Sequence, residues 1–197
     1  SASNGVRLID VTCISVDAGN CLQSGPQPNT NRTFNVEVIR MRCYRTGENC
    51  IGIKNSQYVT ITDSVSDLAF SYPECLGSSS GCDSPNAQVA FIFTGSEFGE
   101  ARDILVKDSV ATNINRCVAI SVGGAQTGAT RVKVDGFTCE VGIGTYGVVL
   151  SEANDATLVN NRVRRIFSQS STCILVSGNV WNSAPSTVVS DSKSCRQ

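Results

Sequence analysis

The sequence predicts an all-β protein, a right-handed parallel β-helix (a solenoid) of about seven coils stapled by disulfides. Three observations predict it: a short strand pattern recurring along the whole chain, a bend-forming residue at a fixed place after each recurrence, and ten cysteines, several at one repeated spacing. The 197 residues read as a single domain, 1–197, with a loop insertion at 67–87.

Seven segments share the pattern apolar or β-branched, any residue, apolar or β-branched, then a turn residue two positions on. They begin Val6-Arg7-Leu8, Val36-Glu37-Val38, Val59-Thr60-Ile61, Ile104-Leu105-Val106, Val132-Lys133-Val134, Thr157-Leu158-Val159 and Thr187-Val188-Val189. The turn position then reads Asp10, Arg40, Asp63, Asp108, Gly136, Asn161 and Asp191. Asp, Asn and Gly tolerate the left-handed backbone that a sharp bend between strands needs. Successive segments start about 30, 23, 45, 28, 25 and 30 residues apart. A second strand follows in most units: Cys50–Ile53, Val89–Phe93, Cys117–Ile120, Gly147–Leu150 and Cys173–Val176. Alternation turns Ile51 and Ile53 inward and leaves Gly52, Phe91, Ala119, Val149 and Leu175 as an outward column.

A single coil cannot bury its inward apolar residues alone, so the coils must stack, strand on strand at about 4.8 Å. An antiparallel sandwich also gives short strands at regular spacing. The alignment of turn residues and cysteines from unit to unit argues for the stack. The insertion carries Pro73, Ser78-Ser79-Ser80-Gly81 and Pro85, and a second loop, 24–31, carries Gly25, Pro26, Pro28 and Asn29.

A net charge of -1 speaks against a nucleic-acid or anionic-membrane partner held by bulk charge, and no apolar run is long enough for a helical span. His is absent, which excludes His-based triads and His-ligated metals. No Cys-x-x-Cys pair exists, so the common zinc spacings fail; neither cofactor nor metal is expected. Ten cysteines and the sequon Asn31-Arg32-Thr33 point to an oxidised, secreted, extracellular protein. No signal peptide precedes Ser1, so the chain reads as a mature or truncated form.

The pairs 21 and 43, 117 and 139, and 173 and 195 each lie 22 residues apart, about one coil, as coil-to-coil disulfides would. Cys75–Cys82 then staples the insertion, and Cys13 and Cys50 are left to each other. The alternative of 13–43 with 21–50 also joins neighbouring coils.

The run Gly47-Glu48-Asn49-Cys50-Ile51-Gly52-Ile53-Lys54-Asn55-Ser56-Gln57-Tyr58-Val59-Thr60-Ile61 resembles the Asp-Asp-Cys-Ile-Ala-Ile coil of polygalacturonases and rhamnogalacturonases, the pectin hydrolases of glycoside hydrolase family 28. The stretch from Phe91 to Ser109 is similar in rhythm to the segment after that family's Gly-His-Gly motif. The resemblance covers about 75 residues. It implies the β-helix but not the activity. The family's paired Asp become Glu48 and Asn49, its Asn-Thr-Asp coil falls near Gly19-Asn20-Cys21, its Gly-His-Gly near Gln88-Val89, and its Arg-Ile-Lys at Val118-Ala119-Ile120. Only Glu48 keeps an acidic group, and inverting hydrolysis needs two, about 6.5–9.5 Å apart. Pectate lyases share the architecture and use Ca2+ held by carboxylates with an Arg or Lys base. Arg7, Glu37 and Lys133, with Arg40, Arg42 and Arg45 nearby, put charge on the first-strand face, but no matching carboxylate cluster accompanies them.

The expectation is therefore a secreted, non-hydrolytic relative of pectin-degrading enzymes that binds polysaccharide or a host or partner protein surface, with no nucleic acid and no membrane. The enzymatic alternative is a hydrolase or lyase with a rearranged site, its candidate catalytic carboxylates being Glu48 and Asp83. A third reading is an oligomeric structural fibre. Trp181, Tyr44, Tyr58, Tyr72 and Tyr146 are the aromatic residues available to stack on sugar rings.

Overall fold

The structure, a computed structural model, describes residues 4–16, 20–24, 33–46, 49–67, 89–94, 101–112, 116–120, 129–140, 146–181, 187–190 and 193–194. Among them the chain is all β. The first coil comprises β1 (Asn4–Ile9), β2 (Thr12–Val16) and β3 (Leu22–Ser24); the second β4 (Thr33–Ile39), β5 (Arg42–Thr46) and β6 (Ile51–Lys54). The third is β7 (Ser56–Thr62), β8 (Val65–Asp67) and β9 (Val89–Thr94); the fourth β10 (Arg102–Lys107), β11 (Val110–Thr112) and β12 (Arg116–Ile120). The fifth is β13 (Thr130–Asp135), β14 (Thr138–Glu140) and β15 (Tyr146–Ser151); the sixth β16 (Asn154–Val159), β17 (Arg162–Val163) and β18 (Ile166–Gln169). The seventh is β19 (Thr172–Ser177), β20 (Val180–Trp181) and β21 (Thr187–Ser190), after which β22 (Lys193–Ser194) returns to the first face.

Every strand pairs in parallel with its counterpart one coil away, giving a first sheet of eight strands and second and third sheets of seven each. This is the parallel β-helix the repeat predicts. On the first sheet, Val6, Val36, Val59, Ile104, Val132, Ala156 and Ile174 stack in one inward column. Leu8, Val38, Ile61, Val106, Val134, Leu158 and Val176 form a second. On the third sheet Ile51, Phe91, Val118, Val148 and Ile166 stack inward. Phe137, from the bend before β14, meets Phe91 edge to face with ring centroids 5.6 Å apart. From the second coil to the sixth these residues are buried and form one continuous core.

Three expectations about register are corrected. Thr187–Val189 belongs to the third sheet and Cys173–Val176 to the first, the reverse of the reading from sequence. The rung from Asn154 to Thr172 closes in only 18 residues, so an apolar run expected one sheet later already lies on the first sheet. In β16 the inward residues are Ala156 and Leu158, a one-residue slip from the predicted start at Thr157; with a period of two, that slip exchanges the faces. Phe91 is fully buried and Ile92 points outward, and Leu175 sits on the first sheet, so the third sheet's outward column holds Gly52, Ile92, Val149 and Phe167.

The bend into the second sheet is left-handed in every coil: Asp10, Arg40, Asp63, Asp108, Gly136, Asn160 and Gly178 have φ of 55°, 54°, 51°, 47°, 67°, 56° and 64°. The register slips move the last two from the predicted Asn161 and Asp191. The N–H of each bend residue from Asp10 to Asn160 donates to a carbonyl on the next rung at 3.0–3.2 Å, so the backbone ladder runs unbroken round the corner. A Cβ on Gly136 would stand 2.5 Å from Asp108 Oδ1, which closes that position to larger residues.

The residue after each bend points inward and is polar in four coils. Ser109 Oγ accepts from the Ser64 N–H at 3.1 Å and its hydroxyl donates to Lys107 O at 2.9 Å; Ser64 does the same for Met41 and Thr62. Asn161 Oδ1 accepts from the Phe137 N–H at 2.9 Å while its Nδ2 donates to Val134 O at 3.0 Å; Asn179 repeats the arrangement one rung on. These side chains satisfy backbone groups that the corner would otherwise bury unpaired.

Both partners are among the described residues in three disulfides, Cys13–Cys21, Cys43–Cys50 and Cys117–Cys139. The 117–139 bond is the one expected; 21–43, 13–50 and the alternative 13–43 with 21–50 are overturned. Cys13 and Cys43 stack on the second sheet, and the carbonyl of Cys50 meets the chain at Leu22 on the third. Each therefore bridges within its own coil, over separations of 8 and 7 residues. In the fourth coil the second-sheet position opposite Cys117 is Ala111, so Cys117 reaches to Cys139 on the rung beyond. Cys173 is also disulfide-bonded, and the expected 75–82 and 173–195 pairs, like the insertion beyond Asp67, involve residues outside those described.

Asn161 is 1% exposed, and its side chain serves two backbone partners, the Phe137 N–H and the Val134 carbonyl. Asn161→Ala is expected to lower unfolding free energy by about 3 kcal/mol, because it leaves a buried N–H and C=O unpaired. Urea unfolding measures it; a loss of less than ~1 kcal/mol contradicts this role for the side chain.

Candidate functional site

The two carboxylates expected to carry catalysis, Glu48 and Asp83, lie outside the described residues. The described residues bring a different group together on the outer face of the first sheet. A shallow, open depression of about 440 Å3 is lined by Asn35, Val36, Glu37, Tyr58, Thr60 and Asp103. They come from three successive rungs, β4, β7 and β10.

A second left-handed column, inside the strands, builds this depression. Gly5, Asn35, Tyr58, Asp103, Arg131, Asp155 and Cys173 each have positive φ, between 51° and 82°. Each falls just before the first inward residue of its strand, between register pairs such as Phe34–Gln57 and Val36–Val59. A left-handed residue here kinks the strand and directs its side chain out of the pleat. Asn35, Tyr58 and Asp103 therefore stand in line up the rod, at about 4.8 Å per rung, with Glu37 and Thr60 in the adjoining outward column.

Tyr58, like Arg131 and Cys173, departs from the Gly, Asn and Asp that fill the other positions. Asn and Asp accept left-handed backbone readily, but a bulky aromatic there is an outlier and carries strain of about 1–2 kcal/mol. Its ring is only about half covered, the residue being 52% exposed. Trp181, by contrast, packs against the core from the seventh coil, and Tyr44 is half-buried. Of the singled-out aromatic residues whose side chains are described, Tyr58 is the exposed one.

The charges around it are paired. Arg7 Nε lies 2.6 Å from Glu37 Oε2 on the neighbouring rung. Arg131 grips Asp103 with two hydrogen bonds, Nε to Oδ1 at 2.6 Å and Nη2 to Oδ2 at 2.8 Å. The Arg131 hydrogen bond, reinforced by the charges of Arg131 and Arg102, holds the Asp103 carboxyl below the usual carboxylate range against a smaller opposing effect of burial. Further along the face Arg40 pairs with Asp10 at 2.6 Å and Lys133 with Asp135 at 2.8 Å. The basic residues that looked available for a polyanion are thus largely engaged with neighbouring carboxylates. Among the described residues no three His, Cys, Asp or Glu side chains come together as metal ligands, and no helix is long and apolar enough to cross a membrane.

The third sheet's outward column offers Gly52, Ile92, Val149 and Phe167 among the described side chains. Glu37 was visible in the sequence as a surface charge, whereas Asn35 and Asp103 were not singled out. Their signal was the recurrence of Gly, Asn or Asp one residue before the inward pair, in Gly5, Asn35, Asp103 and Asp155.

No protein-family model matches the chain, and no curated protein matches it. Among solved structures it is similar to HetL, a pentapeptide repeat protein involved in heterocyst differentiation regulation from the cyanobacterium Nostoc sp. strain PCC 7120. The identity is 9%, over 96% of this chain and 87% of that one, with a TM-score of 0.22. At that score the likeness bears on neither site nor activity.

Two outcomes are expected. Tyr58→Asn should raise unfolding free energy by about 1 kcal/mol, since Asn removes the left-handed strain and little packing is lost; unchanged or lower stability in urea would show that the ring is a structural prop. Asp103 has a folded pKa below its unfolded value, so its pairing stabilises fully above the unfolded value of about 3.9 and is lost as pH falls through the folded one. Arg131→Met should move the Asp103 carbon resonance titration upward in NMR, and a titration unmoved by that change contradicts the pairing.

Proposed function

We propose that this chain is a secreted β-helix that binds polysaccharide across the Tyr58 depression without cleaving it, on a scaffold akin to that of the pectin-degrading enzymes. The single observation that carries the reading is Tyr58: an exposed aromatic held in strained backbone, flanked by hydrogen-bonding side chains on the rungs either side. Sugar rings present a C–H face that packs on an aromatic ring and a hydroxyl rim that needs planar polar partners, and Asn35, Glu37, Thr60 and Asp103 supply hydrogen-bonding groups for that rim. The left-handed position recurs in every rung, and Tyr58 is the residue that places an aromatic ring on it.

The same geometry speaks against hydrolysis here. Glycosidic cleavage by a carboxylate pair needs one carboxyl kept protonated near neutral pH, with its pKa raised. Asp103 is shifted the other way by Arg131. Secretion is supported by the disulfides, which persist in oxidising compartments. The run resembling the family 28 coil, residues 47–61, includes Tyr58 itself, and there the resemblance extends to scaffold rather than catalytic groups.

Affinity electrophoresis in gels containing plant cell-wall polysaccharides tests this. The protein is expected to be retarded by at least one of them, and Tyr58→Ala to weaken binding about tenfold, the loss of roughly one stacking contact. Release of reducing ends or of unsaturated product from polygalacturonate, abolished by Glu48→Gln or Asp83→Asn, would overturn the non-hydrolytic reading in favour of an enzyme.

A further inference from the structure

The charge layout around Tyr58 identifies the class of saccharide. Resting on the binding reading above, we infer that the depression takes an uncharged, hydroxyl-rich polysaccharide lying along the rod axis, and discriminates against polyuronates.

The lining residues include two carboxylates, Glu37 and Asp103, and no cation. The nearest guanidinium groups flank the depression rather than line it: Arg7 on the rung before Glu37 and Arg131 on the rung after Asp103, each drawn onto its carboxylate at 2.6 Å, with Arg102 beside Asp103 on the same rung at 3.9 Å. Arg131 holds both Asp103 oxygens, so its fork is spent along the stack. Beyond them Arg40, Lys107 and Lys133 are engaged with Asp10, Asp108 and Asp135 at 2.6, 3.5 and 2.8 Å. A uronate carboxylate arriving at Tyr58 would find no cation among the lining groups to pair with, and the guanidinium groups beside them are already turned onto Glu37 and Asp103.

A neutral sugar meets the opposite situation. Carboxylates are acceptors only, and an ion pair leaves lone pairs on their oxygens, so what they need from a ligand is O–H donors. Hydrogen bonds from hydroxyls to ionised carboxylates are about twice as strong as neutral ones. A cationic amino sugar gains little, because Arg7 and Arg131 already balance the two acidic groups. The layout also sets direction. Glu37 and Asp103 belong to rungs on either side of Tyr58, two strand spacings or about 10 Å apart along the rod and one outward column apart across it, and Asn35 and Asp103 lie in the Tyr58 column. A ring stacked on Tyr58 therefore has Asn35 and Asp103 behind and ahead of it along the rod, with Glu37 and Thr60 along one side.

The test uses the whole chain and three probes: a neutral hemicellulose oligosaccharide, an oligogalacturonate of equal length, and a chitosan oligosaccharide, each titrated by calorimetry at low and at roughly 0.5 M salt, where surface charge is screened. The inference expects the neutral probe to bind best, with an affinity little changed by salt and reduced about tenfold in Tyr58→Ala. It further expects Glu37→Gln, which frees the Arg7 guanidinium, to gain at least about fivefold in oligogalacturonate affinity at low salt, a gain that high salt erases. A purely structural Glu37 would give no such gain, and circular dichroism checks that the variant folds. Preferential oligogalacturonate or chitosan binding that Tyr58→Ala abolishes would overturn the neutral class while leaving saccharide binding at Tyr58 in place. Binding of no probe, or binding indifferent to Tyr58→Ala, would overturn the site itself.

Discussion

Everything in this fold depends on rung-to-rung backbone pairing that is not interrupted at the corners. The left-handed residue at each bend makes this possible. Its N–H continues the ladder into the next coil, from Asp10 onto Ile39 through to Asn160 onto Ser177. The residue after it turns inward, where Ser64, Ser109, Asn161 and Asn179 satisfy the carbonyls and N–H groups that the turn strands. With the ladder fixed, identical positions superpose, and burial of the inward columns becomes cooperative along the rod.

That superposition also governs the outer face. Opposite charges one rung apart meet at contact distance whenever the two sequences place them in one column, as in Arg7 with Glu37, Asp10 with Arg40, and Asp103 with Arg131. Individually such exposed pairs contribute little stability. Their collective effect is to leave a nearly neutral face on a chain with a net charge of only -1. Within that face Tyr58 interrupts the pattern, and the depression beside it has its character from the partners already taken.

Much of the architecture was legible in the residues. The inward pairs from Val6 to Val134 stand out because strand alternation and a small, bend-tolerant residue coincide in nearly every unit. The Cys117–Cys139 bond was legible because it spans one rung. The register beyond Asp135 was not: the rung from Asn154 to Thr172 is short, and Asn160 and Asn161 are chemically equivalent candidates for the bend. Nor was the pairing of Cys13 with Cys21 and Cys43 with Cys50, since sequence spacing cannot distinguish bridging across a corner from bridging between coils. The Tyr58 depression escaped notice for a related reason. Its left-handed column lies within strands, where turn-forming residues are not sought, and Tyr58 and Arg131 occupy it against their own preference.

Coils of very unequal length share this frame. Equivalent positions superpose whether a rung takes 18 residues, as from Ala153 to Ser171, or 45, as from Ser64 to Ser109. The extra chain leaves between β8 and β9 and the strands on either side keep their partners. Closing a longer excursion costs only about 0.6 kcal/mol per doubling of its length. The edge between the second and third sheets is thus a natural display site, where foreign segments can be grafted or diversified while the rungs that carry them stay in phase.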